Sequence, residues 1–355
     1  MNTFFKSLLI HLLLITNLSA QTNKEIAWSK AKEAAILMDS GKFEESRKLL
    51  IEGQKLDPTD YTYPYEIGYS YYLAKDYETA ITQFEKAAEY SIVSAELYQL
   101  WGNAYDIVGK AQKAIDIYNL GLKKFPKAGK LYLEIGNVYS DRVSKEEGIK
   151  YYEKGIEINP TFTSNYYRAA LYYLNTPEQV WGMIYGEIFM NLESNSKRAI
   201  EISKMLFDTY KTQIKIKNEN ESSVDFCTKM TMSLDQPERM PFCLTYGATL
   251  ILGIDKDVKT IDLESLNRIR KKFIVNYFFM KRNEMHPNIL FDYLKKVDEN
   301  GHLEAYNYWL LQKGDTVEFA KWKIGHLDEW SKFLSWSEQN ALTLNDQHKF
   351  YQNQY

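Results

Sequence analysis

The sequence predicts an all-α protein in which tandem helix pairs form a solenoid, followed by a second region that is also mostly helical. Three observations predict this class. Small and aromatic residues recur every 34 positions through the first half of the chain, and apolar residues recur at helical spacing in much of the second half. Of the 355 residues, 45% are apolar and 26% charged, which suits a folded chain of about two domains.

Columns of equivalent residues define the repeat. The first column is small: Ala34, Gly68, Gly102, Gly136 and Ala170. Three positions later stand Leu37, Tyr71, Tyr105, Tyr139 and Tyr173. Because the two columns share one helical face, a second helix packs closely over the small residue and the rings become core. We predict a tight turn between the two helices of the third unit, with Gly109 at positive φ.

These columns resemble the tetratricopeptide repeat family, a 34-residue helix pair with small and aromatic residues at fixed positions. The third unit matches best, through Tyr98, Trp101, Gly102, Tyr105, Ala114, Tyr118, Gly121 and Pro126. The first unit is degenerate, with Glu33 facing solvent as in a terminal cap, and the fifth matches poorly in its second helix. The resemblance covers about residues 24–193 and predicts a solenoid of five units over residues 21–195.

The resemblance implies a right-handed superhelix whose first helices line a concave groove, and such grooves bind peptides or segments of partner proteins. The register places ten residues in this groove: Tyr65, Tyr69, Tyr72, Gln99, Asn103, Asp106, Lys130, Asn137, Asp141 and Tyr167. Family members that grip a partner's C-terminal carboxylate use basic and amide residues. Only Asn103 and Arg168 fit that pattern, and Glu134 would repel an anion.

Each groove prediction has a plainer alternative. Tyr65, Tyr69 and Tyr72 are surplus to the repeat pattern and lie on one helical stripe, so they are either binding hot spots or packing contacts to the first unit or the C-terminal region. Asn103 and Asn137 occupy equivalent positions. They either bond the backbone of a bound peptide or are solvated.

Residues 196–355 form a predicted, mostly helical C-terminal domain of no family that we can identify. A helix is expected over 196–214, a polar linker over 218–223 and a strand from Val224 to Leu234, where apolar and polar residues alternate. The segment 242–252 is either a second strand or a helix opened by Pro241. Further helices are expected over 262–282, 287–299, 303–313 and 316–341, and the amide-rich tail 345–355 is expected to fray.

Residues 1–20 resemble a signal peptide, because Lys6 precedes an apolar run and Leu18-Ser19-Ala20 fits a cleavage site. The apolar run, residues 7–15, is shorter than the roughly 20 residues that span a bilayer, which makes a retained anchor the weaker alternative. We therefore expect an exported protein, periplasmic or secreted after cleavage near Ala20, without a transmembrane anchor.

Few residues of the sequence suggest a disulfide, a metal site, a catalytic site or a ligand contact. Cys227 and Cys243 either form a disulfide in an oxidising compartment or remain two buried thiols. The histidine spacing predicts no metal site, and no catalytic or cofactor motif is present in the sequence. The basic cluster of Arg268, Arg270, Lys271 and Lys272 is expected to be the wet face of a helix rather than an anionic-surface contact. Trp322, Trp330 and Trp336 are expected to anchor packing rather than to stack on sugars.

The function predicted is a non-enzymatic scaffold or adaptor of the cell envelope that binds a protein or peptide segment, without a cofactor. A net charge of −3 argues against nucleic acid as the partner. One alternative is a ligand-binding protein or enzyme whose site lies between the solenoid and the C-terminal domain. Another is an assembly module whose tryptophans and basic residues meet membrane or wall polymer, in peripheral association with the envelope.

Overall fold

A computed structural model describes residues 22–228 and 240–355. The contacts divide the chain into two compact units, one ending at Val138 and the other spanning Tyr139–Tyr355. The predicted signal peptide lies outside the described residues. The boundary at residue 195 that the repeats predict falls inside the second unit, so it stays a prediction about where the repeat pattern ends.

The first unit consists of antiparallel helix pairs. Its helices are α1 (22–39), α2 (Phe43–Leu56), α3 (Thr62–Leu73), α4 (Tyr77–Ala88), α5 (Ala95–Ile107), α6 (Ala111–Lys124) and most of α7 (Gly129–Arg142). The first pair buries Ala34 and Leu50 with Tyr63 of the next pair. Glu33 is exposed on α1, as a terminal unit requires.

The small and large columns of the repeat meet in space, as the periodicity predicts. A Cβ added to Gly68 of α3 would lie 2.8 Å from the ring of Phe84 on α4. Gly102 of α5 stands in the same relation to Tyr118 of α6. Since real Cβ atoms essentially never approach so closely, glycine at these positions sets the distance between the two helices of each pair.

The turns between paired helices share one backbone conformation. Gly41, Lys75 and Gly109 are 34 residues apart and have φ of 73°, 63° and 80°. In the third unit the amide of Lys110 donates to Tyr105 O at 2.8 Å, which closes the end of α5. The predicted positive φ of Gly109 is confirmed, and the equivalent position of the second unit holds a lysine in the left-handed region.

The second unit continues with helices and one small sheet. Its elements are α8 (Lys145–Ile158), α9 (Thr163–Leu174), α10 (Gln179–Leu192), α11 (Lys197–Gln213), β1 (Ile214–Asn218), β2 (Glu221–Val224), α12 (Phe242–Ile251), α13 (Leu263–Phe279), α14 (Arg282–Met285), α15 (Ile289–Glu299), α16 (Leu303–Leu311), α17 (Thr316–Gly325) and α18 (Leu327–Gln339). A 3₁₀ turn at Gln352–Gln354 ends the chain.

Helix α10 departs from the repeat pattern because it is covered on nearly every side. Its residues from Val180 to Met190 are all buried. A Cβ on Gly182 would lie 2.6 Å from the backbone nitrogen of Leu174, and one on Gly186 would meet Leu206 of α11. The poor match of the fifth unit therefore reflects burial against the helices that follow.

Two contacts between α9 and α11 join residues one repeat length apart. Tyr167 of α9 donates to Glu201 of α11 at 2.6 Å, across 34 residues. Arg198 of α11 donates to Ser164 of α9 at 3.0 Å, across the same separation. Helix α11 thus packs against α9 at the repeat separation, while the boundary at residue 195 stays a prediction.

The strand pair lies earlier than predicted. β1 and β2 form an antiparallel hairpin in which Ile214 pairs with Val224 and Asn218 with Glu221, so the segment predicted as a linker is part of the hairpin. Residues 225–228 are not a strand, because Val180 N of α10 donates to Phe226 O at 3.3 Å and replaces a strand partner. The rest of the predicted strand, 229–234, lies outside the described residues. Residues 242–251 are the helical alternative, preceded by Pro241.

The C-terminal helices follow the predicted order with one break. The predicted helix over 316–341 is interrupted at His326, where the backbone turns to φ −131° and ψ 37°. The His326 Nδ1 atom lies 2.8 Å from Trp322 O, the carbonyl that a continuous helix would offer to the His326 amide. Gly325 lowers the cost of leaving the helix there.

The tail packs into the second unit, so the prediction that it frays is wrong. Phe350 is fully buried, and its ring centroid lies 5.3 Å from that of Tyr185. Tyr355 contacts Phe242 at 4.6 Å between ring centroids. The amide-rich composition gives no sign that Phe350 and Tyr355 pack against other rings. Burial of Phe350 offsets the entropy that is lost when the segment becomes ordered.

Candidate functional site

The first helices of the second, third and fourth repeats present an aromatic and polar surface within the first unit. We call it the tyrosine face and define it by Tyr65, Tyr69 and Tyr72 of α3, Gln99 and Asn103 of α5, and Glu134 and Asn137 of α7. All of these side chains are partly exposed. The face has a packed side and a solvent side, because rings and amides contact one another while part of each stays accessible.

Tyr65 is the most enclosed of the three tyrosines. Its ring centroid lies 6.1 Å from those of Tyr61 and Phe84. Burial, together with the charges of Glu66 and Glu96, raises the pKa of its phenol well above the ordinary value. The phenol therefore stays protonated at any physiological pH and acts as a hydrogen-bond donor.

Tyr72 joins the stripe on α3 to the amides of α5. Its ring packs edge-on against Tyr77 with centroids 5.3 Å apart, and burial raises the pKa of its phenol. Tyr118 of α6 donates to Asn103 Oδ1 at 2.6 Å. Asn103 thus has a protein partner on α6.

Glu134 is the centre of the polar part of the face. Gln99 Nε2 donates to Glu134 Oε1 at 2.7 Å, and Asn137 Nδ2 donates to Glu134 Oε2 at 3.0 Å. After burial, its charge is among the causes that raise the pKa of Tyr72. From the sequence, Glu134 was only a charge that would repel an anion. Its role as the acceptor of hydrogen bonds from two groove amides is visible only in the structure.

Two predicted groove residues of the first unit have ionic surroundings. Lys130 forms an ion pair with Glu96, so it is not a free cation. Asp106 is half-buried near Tyr118, whose phenol pKa is raised by burial and by the charges of Glu134 and Asp106. Neither contact was predicted, although the separation of 34 between Glu96 and Lys130 is the repeat length.

Asp141 and Tyr167 belong to the second unit. Asp141 is exposed in the last turn of α7. Tyr167 donates to Glu201 and lies under the guanidinium of Arg198, 5.0 Å from its ring centroid. Burial and the Glu201 charge raise the pKa of Tyr167 to about 12. A surface cavity beside this pair is lined by Ser140, Lys145, Arg168, Leu171, Asn175 and Glu201.

A buried ionic centre lies in the second unit where α10 meets α13. Arg270 forms a bidentate pair with Glu187, one bond being 3.1 Å long, and both side chains are 6% exposed. Arg270 also donates to Tyr210 Oη and to Asn307 Oδ1, each at 2.7 Å, while Tyr306 Oη donates to Glu187 at 3.0 Å. Each charged group has protein partners, which marks a structural centre.

This centre corrects the prediction for the basic cluster. Arg270 is in the core instead of on a wet helix face. Arg268, Lys271 and Lys272 are exposed enough to meet solvent, but each forms an ion pair with a carboxylate of the same unit. The helical pattern misleads at residue 270 because the buried partner, Glu187, is 83 residues away.

The predicted cysteines and tryptophans take part in a disulfide and in aromatic packing. Cys227 and Cys243 form a disulfide with Cα atoms 6.4 Å apart. Trp322 is buried, stacks on Tyr308 with centroids 4.2 Å apart and donates to Glu304. Trp330 and Trp336 are half-buried.

Among residues 22–228 and 240–355, no group of three His, Cys, Asp or Glu side chains could hold a metal, and no helix combines the length and apolar character of a membrane span.

Comparison with known proteins finds a family profile and a curated relative that are similar to part of this chain. A tetratricopeptide repeat profile matches residues 129–162. The small glutamine-rich tetratricopeptide repeat-containing protein 2 of Mycosarcoma maydis is 32% identical over 88 residues, which are 25% of each chain. The chain thus spans about a quarter of the length of this curated relative.

Solved structures of similar architecture include MamA and YrrB. MamA is 24% identical, covers 43% of this chain and 89% of its own, and gives a TM-score of 0.36. YrrB, described as a tetratricopeptide repeat protein with an unusual peptide-binding site, is 16% identical, covers 53% and 97%, and gives 0.37. The matched profile and the relative support assignment to the tetratricopeptide repeat family, and the columns of 34 residues and the packing of glycine against ring agree with it.

Proposed function

We propose that the protein is a non-enzymatic scaffold or adaptor that binds a segment of a partner protein on the tyrosine face. One observation carries the proposal: half-exposed tyrosines, amides and a carboxylate lie at register positions of three successive first helices, and the amides converge on the carboxylate. Tyrosine supplies a large contact area with few rotatable bonds and is enriched in binding hot spots. The amides and Glu134 supply hydrogen bonds that fix the register of an extended segment.

The proposal includes the cell envelope as the place of action. The signal-like sequence of residues 1–20 and the pairing of Cys227 with Cys243 both support export, because disulfides persist in oxidising compartments. Cell fractionation with an antibody against the chain tests this part. Recovery of the protein in the cytoplasm with its leader intact would contradict it.

The binding function is tested by crosslinking the protein in its own cells and identifying captured partners by mass spectrometry. The informative variant is Tyr69→Ala with Tyr72→Phe, which removes one ring and one phenol of the face while keeping the ring contact between residue 72 and Tyr77. The matched control is Tyr90→Ala with Tyr132→Ala, two half-buried tyrosines that bond backbone carbonyls at Pro58 and Pro126.

We expect the native chain and the control to capture the same partners and the face variant to lose them. Circular dichroism and thermal melting establish that each variant is folded. Capture of the same partners by the face variant would contradict the use of this face. In that case the cavity at Arg168 and Glu201 becomes the next surface to test.

A further inference from the structure

Two carboxylates, Glu134 of the tyrosine face and Glu66 next to Tyr65, have no cationic partner within the described residues. The side chain of Glu66, next to Tyr65 on α3, forms neither a hydrogen bond nor an ion pair with another described residue. Burial raises the pKa of its carboxyl group, and no neighbouring cation opposes that shift. A half-buried carboxylate without a partner is costly, so this group is set to accept a cation from another molecule.

Glu134 provides a second acceptor two repeats along the chain. Its two oxygens accept one amide hydrogen bond each, from Gln99 and Asn137. A carboxylate has about four lone-pair sites, so these bonds orient it without exhausting it. The cation nearest in the register, Lys130, is paired with Glu96. The oriented carboxylate therefore keeps capacity for a charged donor.

The tyrosines lie among these carboxylates. The charge of Glu66 acts on Tyr65, and the charge of Glu134 acts on Tyr72. Tyrosine rings attract Lys and Arg side chains over their faces, and a neighbouring carboxylate adds a charge-assisted hydrogen bond. An anionic segment would meet repulsion at both carboxylates.

We propose that this face, whose use as the partner site is the function proposed above, recognises a basic segment of the partner, with one Lys or Arg side chain at Glu66 and a second at Glu134. Charge complementarity selects this occupant. The rings of Tyr65, Tyr69 and Tyr72 cover the aliphatic parts of those side chains, and Asn103 and Asn137 contact the backbone between them.

The test is selection of peptides from a random library by the full chain. We expect Lys and Arg to be enriched and Asp and Glu to be depleted among bound peptides. Affinity for a selected basic peptide, measured by titration calorimetry, is expected to fall about tenfold for Glu66→Gln and for Glu134→Gln, which corresponds to one charge-assisted bond each. Raising the salt from about 0.1 M to about 1 M should weaken binding further.

Two further variants make the test specific. The double variant Glu66→Lys with Glu134→Lys should select acidic peptides instead. The control, Glu44→Gln with Glu89→Gln, changes two exposed carboxylates of α2 and the end of α4 and should bind as the native chain does. Melting curves show whether each variant is folded.

Absence of Lys and Arg enrichment, unchanged affinity of both Gln variants, or no selection at all would overturn the basic-segment proposal. These results are distinct from failure of the proposed function, which is judged by whether the variant Tyr69→Ala with Tyr72→Phe still captures cellular partners. If the tyrosine variant loses the cellular partners while Glu66→Gln and Glu134→Gln bind as the native chain does, the face binds a neutral segment.

Discussion

Lys75 shows how a single residue departs from the repeat while keeping its geometry. It occupies the left-handed backbone region that Gly41 and Gly109 occupy in the neighbouring units. A side chain in that region costs about 1–2 kcal/mol. The backbone bonds from Lys75 N to Tyr72 O and from Asp76 N to Tyr71 O hold it there at 3.0 and 2.9 Å.

Replacing Lys75 with glycine should stabilise the first unit. We expect Lys75→Gly to raise the free energy of unfolding by about 1 kcal/mol in urea denaturation, after the greater chain entropy of glycine is subtracted. Lys75→Ala is the matched control, because alanine keeps the Cβ and hence the strain. Equal stabilities of the Gly and Ala variants would show that the Cβ carries no strain at this position.

Arg270 and Glu187 illustrate how much a buried pair depends on both partners. Arg270→Met leaves an uncompensated carboxylate in the core, and we expect a loss of about 3–5 kcal/mol in the free energy of unfolding. The double variant Glu187→Gln with Arg270→Met removes the charge and should recover more than about 1 kcal/mol of that loss. Chemical denaturation of the native chain, of Arg270→Met, of Glu187→Gln and of the double variant measures this coupling, and strictly additive losses would contradict it.

At the scale of elements, the tail after α18 is a structural part of the second unit. Lys349 Nζ donates to Glu157 O at 2.6 Å, and the backbone amide of Gln352 donates to Tyr185 Oη at 2.8 Å. With Phe350 buried among aromatic rings, the segment closes one side of α10.

Truncating that anchor should destabilise the unit. We expect Phe350→Ala to cost about 3–5 kcal/mol in thermal or denaturant unfolding, because a cavity replaces a fully buried ring. Gln347→Ala, an exposed change in the same segment, should alter stability by less than about 0.5 kcal/mol. A Phe350→Ala variant as stable as the control would show that the tail is only loosely attached.

At the scale of the whole molecule, the two units are expected to respond differently to reduction. The disulfide joins Cys227 and Cys243, 16 residues apart in the second unit, whereas the first unit contains no cysteine. Closing a loop of that length stabilises the folded state by about 3 kcal/mol.

Differential scanning calorimetry of the full chain, with and without a phosphine reductant, measures this response. Reduction should lower the unfolding temperature of the second unit, and hydrogen exchange should assign the change to residues 139–355. The variant Cys227→Ser with Cys243→Ser should melt as the reduced chain does, and its melting curve should not change when the reductant is added. An unchanged melting curve of the native chain on reduction would contradict the prediction.

The repeat architecture could be predicted from the sequence. Its columns are spaced by a fixed 34 residues, and contacts such as Gly102 on Tyr118 join helices that are neighbours in the chain. Local periodicity therefore contains the information needed to pair them. The positions of the groove tyrosines and amides follow from the same register, which is why the sequence could nominate Tyr72, Gln99, Asn103 and Asn137 together.

Features that depend on distant partners could not be predicted from the sequence and are visible in the folded chain. The burial of Arg270 requires Glu187, and the order of the tail requires Tyr185 and Phe242. Helix α11 packs against α9 through the bond from Tyr167 to Glu201, which the repeat's sequence columns do not indicate. Glu134 becomes the centre of the tyrosine face because two amides converge on it. Such contacts leave no periodic signal in the sequence, because each is made once, between segments whose approach is set by packing.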